Sequence, residues 1–235
     1  MKVPRLAASC FLSVLASTCL WAQSNGPDDR RITDPNSLPS RPNSQARPIP
    51  IEDLYFTRSL SDASWSPNGK EILFTTNMTG RPNLWKVSAA GGWPLQLVQS
   101  DERQTTGTWS PDGKWIVFQQ DIGGNELWDI FAVPSDGGEI INLTNTPDIR
   151  EESPRWSPDG KTIALNYKPK EGTVYDLALL DWETHKVNEL THEASPNYSW
   201  NSVAWSPDGK TLYATRSDIS FTDANVYAVA GLSQC

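Results

Sequence analysis

The hexapeptide Trp-Ser-Pro-(Asn/Asp)-Gly-Lys occurs four times, starting at Trp65, Trp109, Trp156 and Trp205. Successive copies lie 44, 47 and 49 residues apart. A period in the forties means that each unit is one supersecondary element, unable to bury its faces alone and stacked on its neighbours. Four-stranded propeller blades and some helical repeats share this period. The segments after each copy exclude the helical option. "EILFTTN", "WIVFQQD", "TIALNYK" and "TLYATRS" are short, apolar and bounded by turn residues, as buried strands are.

The repeated phrase is itself a turn with a mechanism. Pro67, Pro111, Pro158 and Pro207 preset φ near −65° at the first corner. Asn68, Asp112, Asp159 and Asp208 tolerate the second corner, and Gly69, Gly113, Gly160 and Gly209 take the left-handed position that closes the hairpin. The serine hydroxyl can bond the turn's own amides. Hairpins are therefore expected over Trp65–Asn77, Trp109–Asp121, Trp156–Lys168 and Trp205–Ser217. A third strand, a Gly- or Asp-rich turn and a fourth strand follow in "NLWKVSAAGGWPLQLV", "ELWDIFAVPSDGGEIINLT" and "VYDLALLDWETHKVNELT". The expected fold is all-β, a propeller of four-stranded antiparallel blades with repeats over 60–100, 104–146, 151–192 and 199–230. Each tryptophan ahead of a turn then reads as packing between blades. The fourth repeat offers no fourth strand, giving three full blades and a truncated one. Either the segment "LYFTR" at 54–58 completes that blade, or the four units belong to a larger ring, which is the favoured reading. In an open ring the strand over 217–230 leaves an unpaired edge.

Residues 1–22 read as a secretory signal peptide: Lys2 and Arg5 precede an apolar run that ends in small residues, with cleavage after Ala22. The run falls short of the 20 or so apolar residues of a membrane span, so none is expected after cleavage. Lipid anchoring at Cys19 is the alternative. Residues 23–50 carry six prolines and no periodicity, the composition of a disordered linker, and 51–235 holds the partial propeller. Beyond Cys10 and Cys19 only Cys235 remains, so no disulfide framework is expected in the exported compartment. Net charge is −8, and the signal holds two of the 20 basic residues and none of the 28 acidic ones. That sign excludes a nucleic-acid partner.

No constellation of catalytic, cofactor-binding or metal-ligating residues emerges. Asn68 stands where three copies carry aspartate, which keeps the turn and loses the charge, so the aspartates read as structural. His185 and His192, near Glu189 and Glu193, read as loop histidines rather than ligands. Asp218 and Asp223 read as solvated loop acids. "GLSQC" lacks the second glycine of a nucleophile elbow and leaves Ser233 without a following helix.

"SWSPNGKEILFTTN", "TWSPDGKWIVFQQD", "RWSPDGKTIALNYK" and "AWSPDGKTLYATRS" resemble the propeller repeats of TolB-like periplasmic proteins and, equally, those of prolyl oligopeptidase-family serine peptidases. The lead-in "IPIEDLYFTRSLSDASWSPNGKEILF" resembles the start of dipeptidyl- and acylaminoacyl-peptidase relatives. This resemblance implies a gating and substrate-docking ring over a hydrolase domain that carries the Ser/Asp/His triad outside these residues. Its implied partners are that hydrolase domain and peptide substrate. The TolB-like alternative implies an interaction module for envelope proteins. Neither assigns a catalytic role to any residue here.

Overall fold

Fifteen strands form four separate antiparallel sheets in the computed structural model, which describes residues 57–230. Blade 1 is β1 (Leu60–Trp65), β2 (Glu71–Thr76), β3 (Asn83–Ser88) and β4 (Leu95–Gln96). Blade 2 is β5 (Gln104–Trp109), β6 (Trp115–Gln120), β7 (Asp129–Pro134) and β8 (Ile141–Asn142). Blade 3 is β9 (Ile149–Trp156), β10 (Thr162–Pro169), β11 (Asp176–Asp181) and β12 (Val187–Glu189). The last sheet has three strands, β13 (Tyr198–Trp205), β14 (Thr211–Asp218) and β15 (Ala224–Ala230). Strands pair in chain order within every sheet, and the described residues contain no helix. The fold is therefore all-β, with three complete blades and a truncated fourth in a ring that is not closed. The signal and linker assigned to 1–22 and 23–50, and Ser233 and Cys235, lie outside the described residues. So do residues 54–56 of the segment considered for ring closure. Its remaining part runs beside blade 1, where Asn77 Nδ2 donates to Thr57 O (3.0 Å) and Ser59 N donates to Asn77 Oδ1 (2.8 Å).

The four turns are built alike. Ser110 Oγ donates to Asp112 Oδ1 (2.7 Å) and accepts from Trp115 N (3.0 Å), while Lys114 N donates to Asp112 Oδ1 (3.1 Å). The Asn68 copy makes the same bonds through Ser66, at 2.9 Å each. Gly69, Gly113, Gly160 and Gly209 have φ of 68°, 73°, 71° and 70°, where a Cβ would be strained. The turns also meet along the ring. A Cβ on Gly113 would sit 3.6 Å from Pro67 Cδ, one on Gly160 3.6 Å from Pro111 Cδ, and one on Gly209 3.6 Å from Pro158 Cδ.

Three of the repeat tryptophans pack on the preceding blade. Trp109 shares a core with Leu73, Leu84, Leu97 and Val98 of blade 1 and with Ile116, Phe118 and Phe131 of its own. Trp156 packs on the cluster of Val117, Ile130 and Leu143 with Ile163 and Leu165. Trp205 packs beside Ala164, Leu177 and Leu212, and its Nε1 donates to Arg155 O (3.0 Å). Trp65 departs from the expectation: it is 62% exposed, because no described blade precedes it. Exposure on blade 1 is concentrated on β1, since Phe74 and Trp85 on β2 and β3 are buried. At the far end, Val226 is 73% exposed, whereas Leu84, Ile130 and Leu177, its counterparts in the other third strands, are fully buried.

Each first strand also contains a bulge that the turn pattern does not announce. The pairing register breaks between Ser61 and Ser64, Thr105 and Thr108, and Ser202 and Ala204, and opposite Ala164–Asn166 in blade 3. Asp62, Thr106 and Ser153, three residues before their tryptophans, have φ of 54°, 56° and 56°. The amides freed by the bulges bond across to the previous blade: Thr106 N to Asp62 Oδ2 (3.3 Å), Ser153 N to Gln119 Oε1 (3.0 Å) and Ser202 N to Asn166 Oδ1 (2.9 Å).

Candidate functional site

Polar chemistry concentrates where one blade hands the chain to the next. The first residue of each complete blade's third strand is a short polar hub. Asn83 Oδ1 accepts from Gln96 Nε2 (3.0 Å) and Ser100 N (3.3 Å). Asp129 accepts from Asn142 Nδ2 (2.7 Å) and Thr146 N (3.1 Å), and Asp176 from Thr191 Oγ1 (2.8 Å) and Glu193 N (2.7 Å). These bonds fix the connecting loop and deliver the next blade's first strand. Gln104 N then donates to Pro82 O (2.8 Å), Glu151 N to Trp128 O (2.8 Å) and Trp200 N to Tyr175 O (2.9 Å).

Gln104, Glu151 and Trp200 thus occupy one repeat position, each five residues before its tryptophan. Gln104 and Glu151 are fully buried. Gln104 Nε2 donates to Gln120 Oε1 (2.8 Å), its cross-strand neighbour. Glu151 faces Tyr167 across the strands instead. Its Oε2 accepts from Thr146 Oγ1 (2.8 Å), and its Oε1 has no hydrogen-bond partner. Burial pushes the Glu151 carboxyl up to about 7; the Thr144 and Thr146 hydroxyls oppose the rise, and the Asp129 charge adds to it. A cavity of about 540 Å³ adjoins it, lined among others by Thr144, Thr146, Tyr167, His185, Asn188 and Glu189.

Arginines clamp the neighbouring loops. Arg103 lies 4.4 Å over the Trp128 ring and 3.0 Å from Asp121, and the two line a cleft of about 410 Å³ with Arg81, Glu102 and Glu126. Arg216 lies 4.0 Å over Tyr198 and bonds Glu193 twice, at 2.6 and 2.9 Å, which holds that carboxyl below its ordinary value. Both guanidiniums are paired and stacked, the arrangement of a structural clamp.

The residues singled out in the sequence fall elsewhere. Asp112 and Asp159 line a cleft of about 470 Å³ with Trp115, Trp156 and Trp182, whose rings pack with centroids 5.3 and 4.9 Å apart. One oxygen of each aspartate is committed to its own turn. Bonds from Ser110, Ser157 and Ser206 hold Asp112, Asp159 and Asp208 below the ordinary carboxyl value. A group lowered on folding adds stability above its unfolded value and loses it as pH falls through the folded one. Replacing Asp112 with asparagine is therefore expected to lower the urea midpoint slightly at pH 7, where the charge contributes, and to remove this residue's share of the loss of stability below about pH 4. An unchanged midpoint at pH 7 would show that the turn needs only the side-chain oxygen, as at Asn68, and not the charge.

His192 Nδ1 lies 3.1 Å from Glu189 Oε2, and His185 sits in the β11–β12 turn beside Trp182. Among the described residues, no group of three or more His, Cys, Asp or Glu side chains is arranged to hold a metal ion. Asp218 is more than a solvated acid: it accepts from Thr222 N (2.7 Å), Thr222 Oγ1 (2.6 Å) and Asp223 N (2.9 Å), which orders the β14–β15 loop. Glu151 is the residue that the motif-led reading missed.

Antiparallel sheets repeated in chain order, packed face on face through one tryptophan at each of three junctions, define a β-propeller. The TolB beta propeller domain family matches residues 55–229, and the chain belongs to that family. Among solved structures it is similar to a putative TolB from Agrobacterium tumefaciens (22% identity, TM-score 0.56), covering 72% of this chain and 61% of that one. TolB from Acinetobacter baumannii is similar at 21% identity and TM-score 0.53, covering 75% and 45%. A prolyl endopeptidase is similar at 18% identity and TM-score 0.60, covering 77% of this chain and 29% of that chain. The chain thus spans under two thirds of each of these proteins, and at such identities the likeness shows the fold alone. No curated protein matches the sequence.

Proposed function

We propose that this propeller is the substrate-docking and gating portion of an exported serine peptidase of the prolyl oligopeptidase family, and that it performs no hydrolysis itself. The observation that carries the reading is the pair of unfinished junctions. Trp65 is 62% exposed although its three counterparts pack on a preceding blade, and Val226 is 73% exposed although its counterparts are fully buried. Apolar positions that the repeat reserves for blade packing are left for further blades to cover, as in a larger ring. The peptidase lineage is supported by the resemblance of the lead-in before Trp65 to peptidase relatives, and export by residues 1–22. Its partners are then the hydrolase domain and peptide substrate.

An antibody against residues 57–230, applied to the producing cells after labelling with a fluorophosphonate serine-hydrolase probe, tests this. The expected result is an immunoprecipitated polypeptide well above 26.1 kDa that carries the probe. An unlabelled species of about that mass would overturn it and favour an independent TolB-type interaction module.

A further inference from the structure

We propose that the cavity between blades 2 and 3, walled by Glu151, binds an organic primary ammonium group such as that of a lysine side chain or an alkyl diamine. The assignment does not depend on the peptidase reading.

Three observations carry it. First, Glu151 is fully buried, yet its Oε1 has no hydrogen-bond partner, while the cavity of about 540 Å³ lies against the residue. A buried carboxyl oxygen without a partner is uncommon and calls for an explanation, and a group that enters the adjoining cavity supplies one. Second, the lining is acidic. Glu189 is on the wall, Asp129 stands behind Thr146, and no lysine or arginine lines the space. Val187 and the Tyr167 ring supply apolar surface for a methylene chain.

Third, the protein contains its own control. Blade 2 places Gln104 at the same position, where its Nε2 is paired with Gln120 Oε1 while its own Oε1, like that of Glu151, has no partner. Blade 3 changes both members at once, to Glu151 and Tyr167, which replaces the cross-strand amide pair with a titratable carboxyl bonded only through Oε2 to Thr146.

Pentane-1,5-diamine is the probe, titrated calorimetrically into the full chain at pH 6, 7 and 8, with pentan-1-ol as the uncharged comparison. The groups facing the site are Glu151, Asp129, Glu189, Tyr167 and His185. The diamine stays protonated over this range while Glu151 ionises near 7, so affinity is expected to rise with pH, by up to about tenfold per unit below 7. Binding should release a proton, read as heat that depends on the buffer. Glu151→Gln is expected to weaken binding at least about tenfold and to abolish the proton release, and Glu189→Gln to weaken it less. The Gln104 precedent indicates that the first variant folds. Should it not, the wild-type proton release and the inertness of pentan-1-ol decide the matter. No diamine binding, or binding unchanged in Glu151→Gln, would mean that the cavity holds only water and would overturn the proposal.

Discussion

Replacing Trp109 with alanine is expected to destabilise the chain by about 3–5 kcal/mol, while the same replacement at Trp65 is expected to change stability by under about 1 kcal/mol. The two residues share a residue type, a following Ser-Pro turn and a place at the end of a first strand. They differ in what covers them. Trp109 is 7% exposed, with its ring between the leucines of blade 1 and the aromatics of blade 2, and its loss leaves a cavity across that junction. Trp65 is 62% exposed, so truncation removes little buried area. Trp156 and Trp205, half-buried at their junctions, should fall between. Urea unfolding followed by far-ultraviolet circular dichroism gives all four values. Equal costs at positions 65 and 109 would mean that the tryptophan serves its own hairpin and not the joint between sheets.

That contrast also marks what was legible in the sequence. The turn wrote itself into the chain because Pro, Asn or Asp, and Gly each serve one dihedral demand, and four copies repeat the demand. The third and fourth strands were legible for the same reason, although β4 and β8 pair over only two residues each. Burial at Trp65 was not, since a local phrase does not reveal whether a neighbour exists. The bulges escaped because Asp62, Thr106 and Ser153 adopt positive φ without a glycine to signal it. In the three later blades the bulge amides bond to the previous blade, contacts between residues more than thirty positions apart. Glu151 was hidden in "IREES", where adjacent acids give no hint that one is fully buried and the other half-exposed. The signal was its constant distance from the repeat tryptophan, shared with Gln104.

Glu151 also predicts how stability responds to pH. Its carboxyl, ordinarily at 4.5, sits at about 7 in the folded chain because burial disfavours the charge. The unfolded chain therefore ionises first, and the folded one keeps the proton until near neutrality. The sign follows: this residue's contribution is most favourable below about pH 4.5, declines as pH rises to 7, and is flat above. The full decline corresponds to roughly 3 kcal/mol. Glu151→Gln cannot ionise and is expected to abolish this decline between pH 5 and 8. Its level at pH 8 should stand above the wild type only by what remains after the unpaired amide hydrogens cost about 1–3 kcal/mol. The slope, not the level, is thus the decisive readout. Asp112, Asp159 and Asp208 are lowered rather than raised, so their influence lies below pH 4 and leaves this window to Glu151. Parallel urea midpoints for wild type and variant from pH 5 to 8 would show that the carboxyl is charged in its pocket throughout. The acid would then already have a compensating partner, and the case for a cation there would fall with it.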